Sequence, residues 1–228
     1  MVNKFENVEY CVKQAAFYFD EMAKEKEDYD RVSYMFSAFA YGGRCIYFAV
    51  KHAGKAIPSF DTWFGALDAK LNSSGLDKFF VDARNTVTHE GHSPVLYGST
   101  AGDIDGFVEH FFQVGHPNLP NPPEDGVLAS SKDWLVELLS MVWECYTLAG
   151  PEIDPLQYAT YADFCKLGYS LDKYCEEAGW PNLCDREAEV SNENRFDCVR
   201  DFLRGLDSER MVDAVFQRFL NKPRPYLT

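Results

Sequence analysis

Between residues 5 and 27 apolar side chains recur every three or four positions (Phe5, Val8, Cys11, Val12, Ala15, Phe19, Met22, Ala23), with acids and lysines opposite them. That period matches the ~3.6-residue turn of an α-helix buried along one stripe, and it predicts a first helix over 5–27. A second runs from about Arg31 through YMFSAFAYGGRCIYFAVKHAG to Gly54. Asp28 or Asp30 is placed to cap its first N–H groups, and Gly54 to stop it. Its middle holds Ser37, Ala38, Ala40, Gly42 and Gly43. A helical glycine costs roughly 1 kcal/mol against alanine, so the glycine pair predicts either close approach by a neighbouring helix or a kink. Pro58 and Ser59 lead into a third helix, FDTWFGALDAKL over 60–71; residues 72–75 make a turn, and a fourth helix starts near Leu76.

Beyond residue 90 the pattern changes. Residues 91–130 are rich in Gly and Pro, and HPNLPNPPEDG at 116–126 is a loop that no helix crosses. Short extended segments are expected near 94–98 and 106–114. Helical periodicity returns in WLVELLSMVWECYTLAG (134–150) and over 155–179, 187–205 and 207–221, with PRPYLT extended at the end. We therefore expect an all-α protein: a bundle over 1–95, a Pro/Gly-rich connection over 96–130, and a helical region over 131–228 packed on the first. The aromatics Tyr34, Phe36, Phe39, Tyr41, Tyr47 and Phe48 are expected in the core and in dimer contacts rather than as base-stacking platforms.

Composition adds limits. The chain has 228 residues, 46% of them hydrophobic, enough for a sizeable core. No stretch approaches the ~18 to 20 apolar residues of a membrane span, and no basic segment followed by an apolar one opens the chain, so we expect no membrane partner and a cytoplasmic location. Seven cysteines without a CxxC pair fit reduced core thiols; a zinc site using Cys175 and Cys184 lacks close ligand spacing. The net charge of −14 argues against a nucleic-acid partner, but the charge is uneven. Residues 1–100 carry 11 Lys and Arg against 13 Asp and Glu, leaving 11 against 23 for residues 101–228, so the nets are −2 and −12. Between Asp30 and Asp61 there is no acid, while Arg31, Arg44, Lys51 and Lys55 fall there.

The fourth helix closes on FFVDARNTVTHEGHSP (79–94). On an ideal helix Arg84 and His89 lie about 140° apart, whereas Asn85 and His89, four apart, share a face. A helix that distorts or ends at His89, as Gly91 suggests, would let all three converge. A guanidinium, an imidazole and an amide suit a phosphodiester: the fork holds phosphate oxygens and stabilises added charge, and the imidazole moves a hydroxyl proton near neutral pH. The bland alternatives are a salt bridge from Arg84 to Asp82 and a helix-end role for His89. HEGH (89–92) lacks the four-residue spacing of helical zinc hydrolases. Arg44, Lys51 and Lys55, at i, i+7 and i+11 with His52 beside them, form a stripe that either follows a phosphate backbone or is a solvated face.

The helix rich in small residues (FSAFAYGGRCIYFAVKHAG), the third helix SFDTWFGALDAKL and the apolar helix closing on RNTVTH together resemble a HEPN domain, the higher eukaryotes and prokaryotes nucleotide-binding helical family, over about residues 5–92. That family's hallmark is an arginine, four to six residues and a histidine, often with a polar residue after the arginine, which Arg84, Asn85 and His89 match. The resemblance implies an all-α bundle paired about a two-fold axis, a composite site, and RNA cleavage without cofactor or metal. His89 would be general base or acid, Arg84 charge stabiliser and Asn85 orienter; beside that resemblance, the stripe of Arg44, Lys51, His52 and Lys55 is the candidate substrate contact, and His92 either assists the site or is simply exposed. It implies RNA and a second copy as partners, and a toxin or phage-defence setting in which an antitoxin or regulatory protein takes part. Toxins paired with a nucleotidyltransferase antitoxin carry a tyrosine two residues after the histidine, where this chain has Gly91. A HEPN-like module that binds RNA, a nucleotide or a protein without chemistry is the alternative, and a plain helical scaffold the third.

Overall fold

A computed structural model describes residues 3–24, 27–91, 93–99, 108–119, 121–180, 191–207 and 212–225. The fold is all-α. Among the described residues the elements are α1 (Glu6–Lys24), α2 (Tyr29–Gly54), α3 (Phe60–Leu71), α4 (Leu76–Glu90), β1 (Val95–Ser99), β2 (Val108–Phe112), α5 (Gly126–Ile153), α6 (Pro155–Tyr158), α7 (Tyr161–Lys166), α8 (Leu171–Glu177), α9 (Asn192–Asp207) and α10 (Val212–Leu220).

The first two helices form an antiparallel hairpin because each carries one buried stripe: Val8, Val12, Ala15, Phe19 and Met22 on α1, and Val32, Phe36, Phe39, Gly43, Ile46 and Val50 on α2. Asp28 caps α2, its Oδ1 accepting from the Arg31 N–H at 3.0 Å. The glycine pair resolves as close packing. Gly42 faces Ala15 and Tyr18 of α1, and Gly43 meets the Trp134 indole of α5 so closely that a Cβ there would overlap the ring. Trp134, fully buried, stacks on Phe80 of α4 with centroids 4.4 Å apart and donates its Nε1–H to Asp77 Oδ1 at 3.2 Å. One side chain thus joins α2, α4 and α5. Removing a buried tryptophan of this kind costs roughly 3–5 kcal/mol.

Helix α5 is the central element, touching α1, α2, α3, α4, β2, α6 and α10. It starts before the expected 134, running through GVLASSKD directly after Asp125, and its path breaks at Ala149 (φ −140°), two residues before Pro151. A single main core spans α1–α5 and α10. The helix expected over 155–179 is instead three short ones, because Thr160 and Ser170 each cap a new start and Gly168 takes φ +85°. Helices α6–α9 enclose a second, smaller cluster around Leu156, Phe164, Leu171 and Phe196. The helix expected over 187–205 is described from residue 192 and extends to Asp207; its expected start lies outside the described residues.

The two strands pair antiparallel with Val95 opposite Phe112 and Leu96 opposite Phe111. Val95, His110 and Phe112 face the core, and the Tyr29 hydroxyl donates to the Val95 carbonyl at 3.1 Å, tying the ribbon to α2. Among the described residues no helix is long and apolar enough to cross a membrane.

Candidate functional site at the end of α4

Helix α4 buries Phe79, Phe80, Ala83 and Thr86, which turns Arg84, Asn85 and His89 toward its outer side. It stays regular through Glu90 and ends one residue later, where Gly91 (φ +69°) returns its N–H to the Val87 carbonyl. The helix neither distorts nor stops at His89 but runs one residue past it, so within one copy Arg84 and His89 keep the roughly 140° separation of an ideal helix. The link between them is Asn85. Its Oδ1 accepts from Arg84 Nη2 at 2.5 Å, and it shares a face with His89 one turn on. The Arg84 Nε is buried with no hydrogen-bond partner, so this guanidinium retains donor capacity. His89 is exposed.

The simple salt bridge from Arg84 to Asp82 does not form. Asp82 is taken by Lys78, with Nζ and Oδ2 2.5 Å apart. Glu90 is held by Asn118 and by His116 Nε2 at 3.4 Å, which ties the loop after β2 to the helix end. His92 lies outside the described residues. Among the described residues no group of three or more His, Cys, Asp and Glu could hold a metal ion.

On α2, Tyr41 is 59% exposed. Its phenol sits above the usual range because of neighbouring Cys45, through charge and hydrogen bond, while Arg84 acts in the opposite direction. Burial, reinforced by Cys45, also pushes the Cys11 thiol up. Sequence pattern alone placed Tyr41 in the core or a dimer contact; its spacing of seven from both Tyr34 and Phe48 is the signal that picks out the outer face.

The cations of α2 are distributed differently from the expected stripe. Arg44 is turned inward: its Nη1 lies 3.4 Å from Asp77 Oδ2, and its guanidinium covers the Tyr47 and Phe48 rings at 4.2 and 4.6 Å. Burial raises Asp77 above the ordinary carboxylate range, the Trp134 and Arg44 contacts acting against it. Burial and a hydrogen bond to Asp68 push Tyr47 up to about 12. Lys51 sits over the same Tyr47 ring at 5.3 Å, and His52 and Lys55 are exposed. Helices α2 and α4 run antiparallel, since Asp77 meets Arg44 while Phe80 meets Phe36 and Phe39. His89 therefore lies toward the start of α2. Lys51 and Lys55 lie about 15 and 21 Å along the helix beyond Tyr41, away from it. The structure joins Arg84 and Asn85, with His89 one turn from Asn85, and leaves Lys51, His52 and Lys55 at the far end of α2.

No family model, no curated protein and no solved structure matches this chain.

Proposed function

We propose that the chain is a HEPN-like endoribonuclease whose site is completed by a second copy, acting in the cytoplasm as a toxin or phage-defence effector. The observation that carries this is the end of α4: an arginine with an unpartnered buried Nε, held by Asn85, and an exposed histidine one turn on. Because α4 is regular, Arg84 and His89 of one copy diverge, and a second copy would supply the missing half. The six described cysteines are free, which fits a reducing compartment.

In the proposed reaction the ribose 2′-oxygen bonds to the adjacent phosphorus as the bond to the 5′-oxygen breaks. One His89 imidazole takes the 2′ proton and the other, protonated, gives one to the departing 5′-oxygen. The products are a 2′,3′-cyclic phosphate and a 5′-hydroxyl; one bond forms, one breaks, and no water is consumed. Arg84 offsets the charge gathering on the phosphoryl oxygens, and Asn85 holds the guanidinium in place.

The test is RNA cleavage in EDTA, with product ends identified. Wild type should leave cyclic phosphates. Arg84→Ala should lose about 100-fold or more and His89→Ala between about 100- and 10,000-fold. Full activity in both variants would remove the site assignment. RNA binding without cleavage by folded wild type would leave a HEPN-like binding module.

A further inference from the structure

Gly42 of α2 rests on α1 so closely that a Cβ there would stand 3.5 Å from the Ala15 Cα and 3.5 Å from Tyr18 Cδ2. The two helices run antiparallel, with Phe39 meeting Phe19 on one side of that contact. On the other side the next turn of each helix carries a cysteine. Cys45 lies three residues beyond Gly42 and Cys11 four before Ala15, which places them about 4.5 and 6 Å along the axes in the same direction. They also share a flank. At about 100° per residue Cys45 is turned roughly 60° from Gly42 and Cys11 roughly 40° from Ala15, and in an antiparallel pair of right-handed helices both turns lead to the same side of the seam. Tyr18 marks that side, since it lies seven residues from Cys11 on the same stripe and touches the Gly42 position. Both cysteines are half-buried, as such a flank requires, and the charge of Cys45 reaches Cys11.

We propose that Cys11 and Cys45 form a reversible modification site, a facing thiol pair that hydrogen peroxide converts into a disulfide joining α1 to α2. A disulfide needs Cα atoms about 4.4–6.8 Å apart, a spacing within reach of facing positions on helices in backbone contact. Cys45 reacts first. Its thiolate attacks one peroxide oxygen, the O–O bond breaks, and the sulfur is oxidised to a sulfenic acid while the other oxygen leaves as water with the Cys45 proton. Cys11, whose thiol burial holds in the protonated form, is the resolving partner. Its sulfur bonds to the sulfenic sulfur as the S–O bond breaks, and the second oxygen leaves as water with the Cys11 proton. Two thiols and one peroxide thus give one disulfide and two waters.

The other described cysteines occupy different surroundings. Cys145 is buried in the main core and Cys175 in the smaller cluster, while Cys165 and Cys198 are exposed on α7 and α9. Free thiols throughout fit a reducing compartment, where a disulfide forms under oxidant and is reversed when the oxidant is gone. The bond would close the chain between residues 11 and 45 into a loop and fix the α1–α2 hairpin, removing freedom from the unfolded chain. Neither thiol takes part in the ribonuclease reading, so the two stand or fall separately.

The full-length chain, reduced and then freed of reductant, would be treated with a small excess of hydrogen peroxide. Remaining thiols would be blocked with a maleimide and the peptides identified by mass spectrometry. The expected product is a peptide pair joined through Cys11 and Cys45 within one chain, two hydrogens lighter than the reduced pair and separated again by dithiothreitol. The melting midpoint should rise by roughly 5–15 °C over the reduced chain. Cys11→Ser and Cys45→Ser should each show no such rise. Should either variant fail to fold, the peptide map of the wild type decides alone. Recovery of Cys11 and Cys45 both blocked by maleimide, under peroxide that oxidises the exposed Cys165 and Cys198, overturns the site. So does Cys45 recovered as a sulfinic acid beside a free Cys11, a bond from either residue to a different cysteine, or a bond between two chains.

Discussion

His110 shows how one buried group sets a stability profile. It is 6% exposed, its Nε2 has no hydrogen-bond partner, and its ring lies parallel to Tyr29. Burial holds its pKa below the ordinary 6.5. A depressed folded-state pKa means that the unfolded chain takes the proton first. The stabilising contribution is therefore complete above about pH 6.5 and is lost as pH falls through the folded value. Urea unfolding between pH 7.5 and 5 should lose up to about 1.4 kcal/mol per pH unit from this residue, and His110→Phe should flatten that part of the profile. An unchanged slope in the variant would assign the acid sensitivity elsewhere. The candidate site makes the complementary point about single residues. Arg84 and His89 stand out in the sequence as candidates because a guanidinium and an imidazole near a helix end suit a phosphodiester. Arg44 was misleading, since its partner, Asp77, is 33 positions away and no local pattern reports it.

Among the elements, α2 carries the clearest test of why its sequence is what it is. Gly43 is there because Trp134 occupies the space a side chain would need. Gly43→Ala should cost about 1–3 kcal/mol by overpacking. Gly65, in α3 with nothing within 4 Å of its would-be Cβ, is the control: Gly65→Ala should gain up to about 1 kcal/mol, because only backbone freedom changes. Thermal melts of the two variants moving in the same direction would contradict this account of the α2–α5 contact. Helix α3 was fully legible at 60–71, and α2 nearly so, because both keep a 3.6 period; Asp28 caps α2, whereas the Ser59 side chain makes no cap at α3. The segment 155–179 was not: its apolar spacing continues through Thr160 and Ser170, and only the caps these residues form reveal three helices. The aromatic stripe on α2 was visible as residues but not as a surface. Tyr34, Tyr41 and Phe48 are distinguished from Phe36, Phe39 and Tyr47 by which sides of α2 the neighbouring elements cover, a fact of tertiary packing.

At the level of the whole molecule, the chain is closed by a buried charge cluster joining its two ends. Arg224, 3% exposed, reaches Glu9 of α1 at 3.0 Å and Asp213 of α10 at 2.8 and 2.9 Å. Tyr146 of α5 donates to Glu9 Oε1 at 2.5 Å, and Asn3 Nδ2 to the same oxygen at 3.1 Å. Burial, then the Glu9 charge, raises the Tyr146 phenol well above its ordinary value, so it stays a donor. The link explains why an acidic second half does not separate from the first: α1, α5, α10 and the C-terminal segment share both the core and this cluster. It also fixes what a truncation can test, since ending the chain near residue 100 would remove α5 and with it the central helix of the core. A point substitution is cleaner. Arg224→Ala takes the guanidinium away from the buried Glu9 and the part-buried Asp213, and such a loss costs about 3–5 kcal/mol. Arg224→Ala with Glu9→Gln removes one of those charges and should recover part of it, because the penalty lies in keeping a carboxylate charge buried without the guanidinium more than in the lost contact. Urea unfolding of the three proteins separates these contributions. A loss under about 1 kcal/mol in the single variant would mean the segment is a surface strap, and no recovery in the double variant would locate the cost in packing of the arginine stem.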